Sequence, residues 1–436
     1  MEDITYKGKW YLPGYEEKKI AGTLTFSNEE GAELTLDGSL AYQGSADFLR
    51  PDFILGDTYK GKRITLYQCN QFHRGSSISK FSAIFVLEGD HFTDADQLEF
   101  NKSASSFFNL NKWLGIHGFS RDPSEPKETS NIKYKKPDAV TFELDGAIGR
   151  FDFNVDSSSP SDLAFDAEWI RQRTVFCLNY EQSRPFDKLL KDIRHFQNFL
   201  TLAAHAPTYP NYIRLYTNKR KRKIGSVEHP LEIDLYYAPS YFRPVKTQHF
   251  FLFSYRDIQN DFLKIISRWY SLNDIIDYPL YLLFGSFYNS ANSLENQFLD
   301  LARALEMFHR HTTNLEQIRN TKGPPLLNRI ESVLNEITNP FLSKIIYEGF
   351  AEDVRDTRNY HTHLNPRLEE KSKKEAEELF MITKKIRLVL ICAILKETGF
   401  DNDKISELLE KNEPRLFYYL IPKKTEETQS PSNEER

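Results

Sequence analysis

Cysteine is scarce in this sequence. The three cysteines, Cys69, Cys177 and Cys392, lie far apart and are odd in number. They cannot form a disulfide framework within one chain, and no CxxC pair offers the spacing of a cysteine-based metal site. This usage is typical of a reducing compartment, so we expect a cytoplasmic protein.

Long apolar runs are also missing. No uninterrupted apolar segment approaches the roughly 20 residues that a membrane-spanning helix needs. The start of the chain, MEDITYKGKW, lacks the basic residues and apolar core of a secretory leader, so we expect no membrane association. The sequence has no P-loop, no GxGxxG after a strand and no GxSxG, and it therefore predicts neither nucleotide hydrolysis, dinucleotide binding nor α/β-hydrolase chemistry.

The chain has no excess of positive charge. Its formal net charge is -5, which argues against a protein whose whole surface coats nucleic acid or an anionic membrane but is compatible with a local basic site. Aromatic residues are abundant, with 33 Phe and 23 Tyr, and the 40% of hydrophobic residues is typical of globular proteins. At 436 residues the chain exceeds the usual size of a single core, which predicts two or three domains.

Short segments that alternate apolar and polar residues dominate the first part of the chain. Examples are GTLTF, AELTL and SAIFVLEG, which are separated by Gly, Asn or Asp turns. This pattern is typical of β-strands. It predicts a β-rich N-terminal domain over residues 1–156, built as an antiparallel sandwich or barrel.

Residues 157–246 are predicted to form a mixed α/β extension. Apolar residues recur at helical spacing between Arg184 and Ala204, which predicts one helix. The strand-like segments IRLYT and LEIDLYY follow, and the basic run between them predicts a hairpin with a basic tip. This tip is either a solvated turn or a phosphate contact for tRNA or another structured RNA. Its basic residues are Lys219, Arg220, Lys221, Arg222 and Lys223.

Helical periodicity dominates residues 247–422, and the polar tail over residues 423–436 is predicted to be disordered. The fold class is therefore α+β and multidomain, with a β-rich sandwich or barrel-like lobe followed by an all-α helical bundle. Helices are predicted over residues 257–271, 294–311, 326–337, 341–363 with a break near Gly349, 371–398 and 403–411.

The segment DVRDTRNYHTHLNPRL concentrates arginine and histidine near a predicted helix end, just before Asn365–Pro366. A guanidinium can hold a phosphate, and an imidazole can move a proton near neutral pH, so this pair can support metal-independent cleavage of RNA. The candidate residues are Arg358 for the phosphate, His363 for the proton and Asn359 as an orienting amide. The alternative interpretation is that these residues form a solvated helix surface or a satisfied helix cap.

Two registers of arginine and histidine fit this segment. Arg358 and His363 lie about 140° apart around a regular helix, so we expect the helix to end or distort between them. Arg355 with His361 is the second register, and it is disfavoured because the charge of Asp356 beside Arg355 repels phosphate. A metal site formed by His309, His311, His361 and His363 is rejected, because the i, i+2 spacing places each pair on different helix faces.

The RNYHTH element resembles the R-x4-6-H signature of the HEPN superfamily, and the β-rich front joined to a helical back resembles the ApeA family of bacterial anti-phage abortive-infection proteins. The resemblance implies a ribonuclease site in which Arg358, Asn359 and His363 take the positions of the family's motif residues. It also implies an acidic residue from an earlier helix close to the motif, for which Glu306 is the candidate. HEPN units commonly pair, which implies a homodimer or a larger even oligomer.

The first hypothesis is a metal-independent endoribonuclease that acts on cellular RNA, tRNA included, without a cofactor. The resemblance implies that the β-rich lobe restrains this site until a phage-encoded trigger arrives. The second hypothesis is a non-catalytic HEPN-like protein that binds RNA or mediates assembly, because the superfamily also contains inactive members. An open basic cleft around Arg358 and His363 favours the enzyme, and burial of either residue in an apolar core favours the scaffold.

Overall fold

A computed structural model describes most of the chain. The described residues are 1–40, 48–75, 77–121, 132–158, 169–224, 226–240, 242, 250–289, 291–312, 325–363 and 374–420. The predicted helix stop at Asn365–Pro366 and the predicted disordered tail over residues 423–436 lie outside them.

The chain divides into two compact units, a β-rich unit over Met1–Tyr270 and a helical unit over Ser271–Arg436. Helix α1 spans Leu110–Leu114 within the β-rich unit. The division falls after the boundary predicted at residue 247, because two helices beyond that residue continue the packing of the β-rich unit. They are α3 (Tyr255–Ile258) and the first part of α4 (Phe262–Ile275). The indole Nε1 of Trp269 in α4 donates a hydrogen bond to the His195 carbonyl oxygen at 2.8 Å.

Fourteen strands are described, and all of them lie in the β-rich unit. In chain order they are β1 (Ile4–Tyr11), β2 (Ile20–Ser27), β3 (Gly31–Leu36), β4 (Phe53–Thr58), β5 (Arg63–Arg74), β6 (Ser79–Glu88), β7 (Glu99–Phe107), β8 (Phe119–Arg121), β9 (Ile132–Tyr134), β10 (Val140–Leu144), β11 (Ala147–Ser157), β12 (Ile170–Pro185), β13 (Pro210–Ile224) and β14 (Val227–Tyr236).

Six of these strands close into an antiparallel barrel, in the order β1, β2, β3, β6, β5, β4 and back to β1. Alternate side chains of the strands fill its interior, among them the buried Trp10, Leu24 and Phe81. The indole of Trp10 requires glycine at position 56, because a Cβ there would lie 2.3 Å from a ring carbon. The prediction of a sandwich or barrel is confirmed in the form of this barrel with extra strands.

The extra strands continue the sheet from β6 through β14, β13, β7, β12 and β11 to β10. The predicted helix near residues 184–204 is confirmed as α2 (Phe186–Ala204), whose Phe196 stacks on Phe176 of β12 at 3.8 Å between ring centroids. Strand β12 was not predicted. It pairs with β11 from Ala147↔Tyr180 to Ser157↔Ile170, so residues on both sides of position 156 belong to one sheet.

The described residues of the helical unit contain helices and no strand, which confirms the predicted all-α C-terminal region. Besides the end of α4, the helices are α5 (Asp277–Tyr288), α6 (Leu294–Thr312), α7 (Leu326–Glu336), α8 (Pro340–Ile345), α9 (Phe350–His363), α10 (Ala376–Glu397) and α11 (Asn402–Asn412), followed by a π turn (Glu413–Phe417) and a 3-10 turn (Tyr418–Leu420). None of the described helices has the length and apolarity needed to cross a membrane.

Helix α10 lies in the core of the helical unit, because apolar residues occupy most of its circumference from Leu379 to Leu395. Two of its buried cations donate to backbone: Lys385 Nζ donates to the Ile345 carbonyl oxygen at 2.8 Å, and Arg387 Nη2 donates to the Ser286 carbonyl oxygen at 3.1 Å. The predicted break near Gly349 is confirmed, since this glycine has φ +84° and separates α8 from α9. Because of this break, α9 is not a continuation of α8, and it packs against α6 and α7.

Candidate active site on the helical unit

The motif arginine is held by a carboxylate from another helix. Arg358 is half-buried on α9, and its Nη2 lies 3.6 Å from Oε2 of Glu306 on α6. Glu306 occupies the edge of the apolar stripe of α6 that carries Leu301, Leu305 and Phe308 into the core. The packing of that stripe therefore fixes where the carboxylate lies, and the carboxylate in turn limits the positions of the guanidinium.

Two further arginines share the same carboxylate. Oε1 of Glu306 accepts a hydrogen bond from Nη2 of Arg310 at 2.8 Å and from Nη1 of Arg329 at 3.5 Å. Burial lowers the pKa of Arg329, Arg310 nearby lowers it further, and Glu306 opposes both effects. We refer to Glu306, Arg310, Arg329 and Arg358 as the Glu306 cluster. Its two more exposed guanidinium groups, those of Arg310 and Arg358, share this one carboxylate, which leaves a surplus of positive charge.

Arg310 and Arg329 were not predicted as site residues. Arg310 follows Glu306 by one helical turn and looks like an ordinary surface pair in the sequence. Arg329 offered a clearer indication, because it lies three residues after Leu326 and four before Val333, on the apolar stripe of α7. An arginine on such a stripe needs a partner when it is buried. The sequence cannot show that the partner is Glu306.

Asn359 and Arg355 have different surroundings. The amide oxygen of Asn359 accepts a hydrogen bond from Nη1 of Arg358 at 3.3 Å, so this side chain takes part in orienting the guanidinium. Arg355 turns to its neighbour instead, and its Nε donates to Oδ1 of the buried Asp356 at 2.7 Å. The Arg355 guanidinium is therefore already paired with a carboxylate, which disfavours the register that joins it to His361.

The expected distortion of the helix between Arg358 and His363 is wrong for the described residues. Helix α9 continues to His363, and Thr362 Oγ1 donates to the Arg358 carbonyl oxygen one turn earlier at 2.7 Å. Regular backbone keeps the two motif residues about 140° apart around the helix axis. His363 is exposed at the last residue of α9. One chain therefore does not bring Arg358 and His363 together within its described residues.

His361 lies on the same side of α9 as Arg358, because the two are three positions apart in the helix. Its ring packs at 6.0 Å from the Phe298 ring and at 5.2 Å from the Tyr360 ring. Burial lowers the pKa of His361, and the nearby Glu295 partly opposes this. In the described part of the chain its Nε2 is buried and has no hydrogen-bond partner. The neutral ring is thus favoured.

The basic run lies on β13 before the turn of the predicted hairpin, which the pairing of β13 with β14 confirms. Lys219 pairs with Glu99 at 2.5 Å, Arg220 with Asp90 at 2.8 Å and Lys221 with Glu228 at 3.1 Å. These three charges are matched within the β-rich unit. Arg222 and Lys223 are exposed, and no ion pair is described for either of them.

The arrangement on the helical unit can bind an anion and move a proton. The Arg358 guanidinium forms an ion pair with Glu306 and remains partly open to solvent, as a phosphate contact requires. The exposed imidazole of His363 can serve as an acid or base for a substrate that reaches it. Across the described residues, no three His, Cys, Asp or Glu side chains are grouped as ligands of a metal ion.

Comparison with protein-family models gives two matches. Residues 5–269 match the model described as ApeA N-terminal domain 1, and residues 299–404 match the model described as Apea-like HEPN. The second match begins within α6 and ends within α11, so it includes the Glu306 cluster and the RNYHTH element. Comparison with curated proteins and with solved structures gives no match.

Proposed function

Because the chain belongs to the ApeA family, with an ApeA N-terminal domain followed by an Apea-like HEPN domain, we propose that it is an endoribonuclease effector of anti-phage abortive infection. The observation that carries the proposal is the contact between Arg358 and Glu306, which holds a partly exposed guanidinium on the HEPN motif. A fixed cation of this kind recognises a phosphodiester. The proposed substrate is cellular RNA, with tRNA as the first candidate.

In the proposed reaction, the 2′-oxygen of the RNA attacks the neighbouring phosphorus, and the bond from phosphorus to the 5′-oxygen breaks. Arg358 neutralises charge on the phosphoryl oxygens, and Asn359 orients the guanidinium through their hydrogen bond. His363 takes the 2′-hydroxyl proton or donates one to the leaving 5′-oxygen. The products are a 2′,3′-cyclic phosphate and a 5′-hydroxyl. No metal ion or other cofactor takes part in this scheme.

The continuity of α9 is the observation that favours the second candidate, an RNA-binding or assembly protein without catalysis. A single chain presents Arg358 and His363 on different sides of one helix.

Catalysis therefore calls for a second copy of the chain, whose His363 would approach the phosphate held by Arg358. In the proposed cytoplasmic protein, the β-rich unit restrains this pairing until a phage-encoded trigger binds.

Sequencing of RNA 5′-hydroxyl ends after induction in cells tests the activity and finds the substrate. New ends should appear with the wild type and be absent with His363→Ala, whereas His229→Ala, an exposed histidine on β14, should behave as the wild type. Purified protein should retain cleavage in EDTA. The ribonuclease proposal fails if wild type and His363→Ala yield the same ends, and loss in EDTA with recovery on added Zn²⁺ or Mn²⁺ overturns the metal-independent scheme.

A further inference from the structure

The charges of the Glu306 cluster do not balance. The partly exposed guanidinium groups of Arg310 and Arg358 both face the carboxylate of Glu306, so two positive charges share one negative charge. Among the residues that the structure describes, no carboxylate other than that of Glu306 pairs with Arg310 or Arg358. A surplus of fixed positive charge at a partly exposed position attracts an anion.

The three arginines differ in the exposed fraction of their side chains, and this difference assigns them different roles. The side chain of Arg329 is 6% exposed, whereas those of Arg310 and Arg358 are 44% and 32% exposed. Arg329 is therefore a positioning residue, which holds the carboxylate from the protein side. Arg310 and Arg358 approach the same carboxylate from positions that solvent reaches.

The guanidinium groups of Arg310 and Arg358 have donors to spare. Each guanidinium carries five N–H donors, and Glu306 accepts through Oε1 from Arg310 at 2.8 Å and faces Arg358 through Oε2 at 3.6 Å. Arg358 gives one further donor to Asn359, and the remaining donors are available to an external acceptor with several oxygens. A phosphodiester offers such oxygens, and it matches the planar fork of arginine.

We propose that Arg310 is a second phosphate-binding residue of this site, which contacts the RNA backbone next to the phosphate held by Arg358. Glu306 and Arg329 set the two guanidinium groups side by side. This inference rests on the proposed ribonuclease function and adds a binding residue outside the RNYHTH element. It assigns RNA affinity to Arg310 and leaves proton transfer to His363.

The alternative is that Glu306 and Arg310 form only an i, i+4 surface pair, which stabilises a helix by about 0.3–0.5 kcal/mol. Arg303 provides a matched comparison, because it is an exposed arginine two turns earlier on α6 and no ion pair is described for it. If Arg310 acts only within its helix, its loss should affect RNA binding no more than the loss of Arg303.

The test measures binding of fluorescently labelled bulk tRNA at several salt concentrations, with all variants built on His363→Ala so that cleavage does not interfere. Arg310→Ala should weaken binding by about 10- to 100-fold, the effect of losing a charged hydrogen bond. It should also lower the slope of log K against log salt by about 0.7–0.9. Arg310→Lys should fall between Arg310→Ala and the parent, and Arg303→Ala should bind as the parent does.

Arg310→Gln keeps a polar stem without the charge, and it replaces Arg310→Ala if that variant unfolds. The inference is overturned if the charge-removing variant binds tRNA with the parent's affinity and salt slope. In that case cleavage by a chain with native His363 would still support the ribonuclease. Failure of the inference about Arg310 is therefore distinguishable from failure of the proposed function. A parent that binds no tRNA, together with a wild type that leaves no 5′-hydroxyl ends in cells, would overturn both proposals.

Discussion

The carboxylate of Glu306 lies 3.6 Å from the guanidinium of Arg358 and joins helix α6 to helix α9. This ion pair restricts the motif arginine before any ligand arrives, so less side-chain entropy is lost when it contacts a phosphate. The same carboxylate faces the buried Arg329. The contact thus connects the stability of the helical unit to the geometry of its candidate site.

Replacement of Glu306 by Gln should destabilise the helical unit. The variant removes the negative charge next to the buried guanidinium of Arg329, and we expect the free energy of unfolding to fall by about 1–3 kcal/mol. Urea unfolding followed by helical circular dichroism measures this change. Glu407→Gln is the control, because Glu407 forms an exposed pair with Lys404, and its loss should cost about 0.5 kcal/mol or less. An equal fall in the free energy of unfolding of the two variants would contradict the role given to Glu306.

Local patterns predicted most of the elements but not their long-range pairing. The periodicity of α6, with Phe298, Leu301 and Leu305 on one side, predicted a helix whose bounds the structure nearly reproduces. Helix α5 was missed because apolar residues occupy most of its positions and leave no helical period. Closure of the barrel depends on the pairing of β5 with β6 and of β1 with β4, which no local pattern specifies.

Local patterns likewise predicted part of the candidate site but not the contacts that depend on packing. Arg358 and His363 stand out in the sequence, and the family resemblance suggested an acidic partner at Glu306. Arg329 was not predicted, because its contact with Glu306 depends on the packing of α7 against α6. The expected distortion before His363 relied on Asn365–Pro366 acting several residues upstream, whereas α9 keeps regular hydrogen bonding through His363.

The two possible registers of the motif can be separated by two alanine variants. Arg358→Ala should lower the rate of RNA cleavage by about 10- to 100-fold, because it removes the charged contact to the phosphate. Arg355→Ala should change the rate by about threefold or less, since Arg355 is paired with Asp356. Rates from single-turnover cleavage, with thermal unfolding as the check on folding, decide between them. A larger loss with Arg355→Ala would make Arg355 and His361 the working pair.

The stability of the helical unit should depend on pH through His309 and His361. Burial lowers the pKa of both rings from 6.5, and the charge of Arg329 lowers that of His309 further. As the pH falls below 6.5, the unfolded chain therefore binds protons before the folded chain does. The contribution of these residues is complete above that pH and is lost as the pH falls toward their folded pKa values.

The measurement compares the urea midpoint near pH 7.5 with that near pH 5.5. The double variant His309→Gln with His361→Gln should lose less stability over this interval than the wild type, even if it is less stable at the higher pH. His229→Gln, which changes an exposed ring on β14, should keep the wild-type dependence. An unchanged decline in the double variant would show that other groups control the acid sensitivity.

The regular course of α9 calls for assembly of the chain. Cleavage needs an acid and a base, and one chain offers a single exposed His363 directed away from Arg358. Two chains related by a two-fold axis would present the same patch to each other and place His363 of one beside Arg358 of the other. We therefore expect an active homodimer or a larger even oligomer. Light scattering at the assay concentration should give its mass, and an active monomer would rule out the shared site.

Mixing two inactive variants tests the shared site directly. Chains with Arg358→Ala and chains with His363→Ala should regain part of the activity when they exchange partners, because a mixed dimer has one cleft that combines the native Arg358 of one chain with the native His363 of the other. The control replaces the second partner by the double variant Arg358→Ala with His363→Ala, which cannot supply the missing arginine. If exchange is verified by mass and the first mixture stays as inactive as the control, each chain must complete its own site, and the continuous helix would then have to bend on binding RNA.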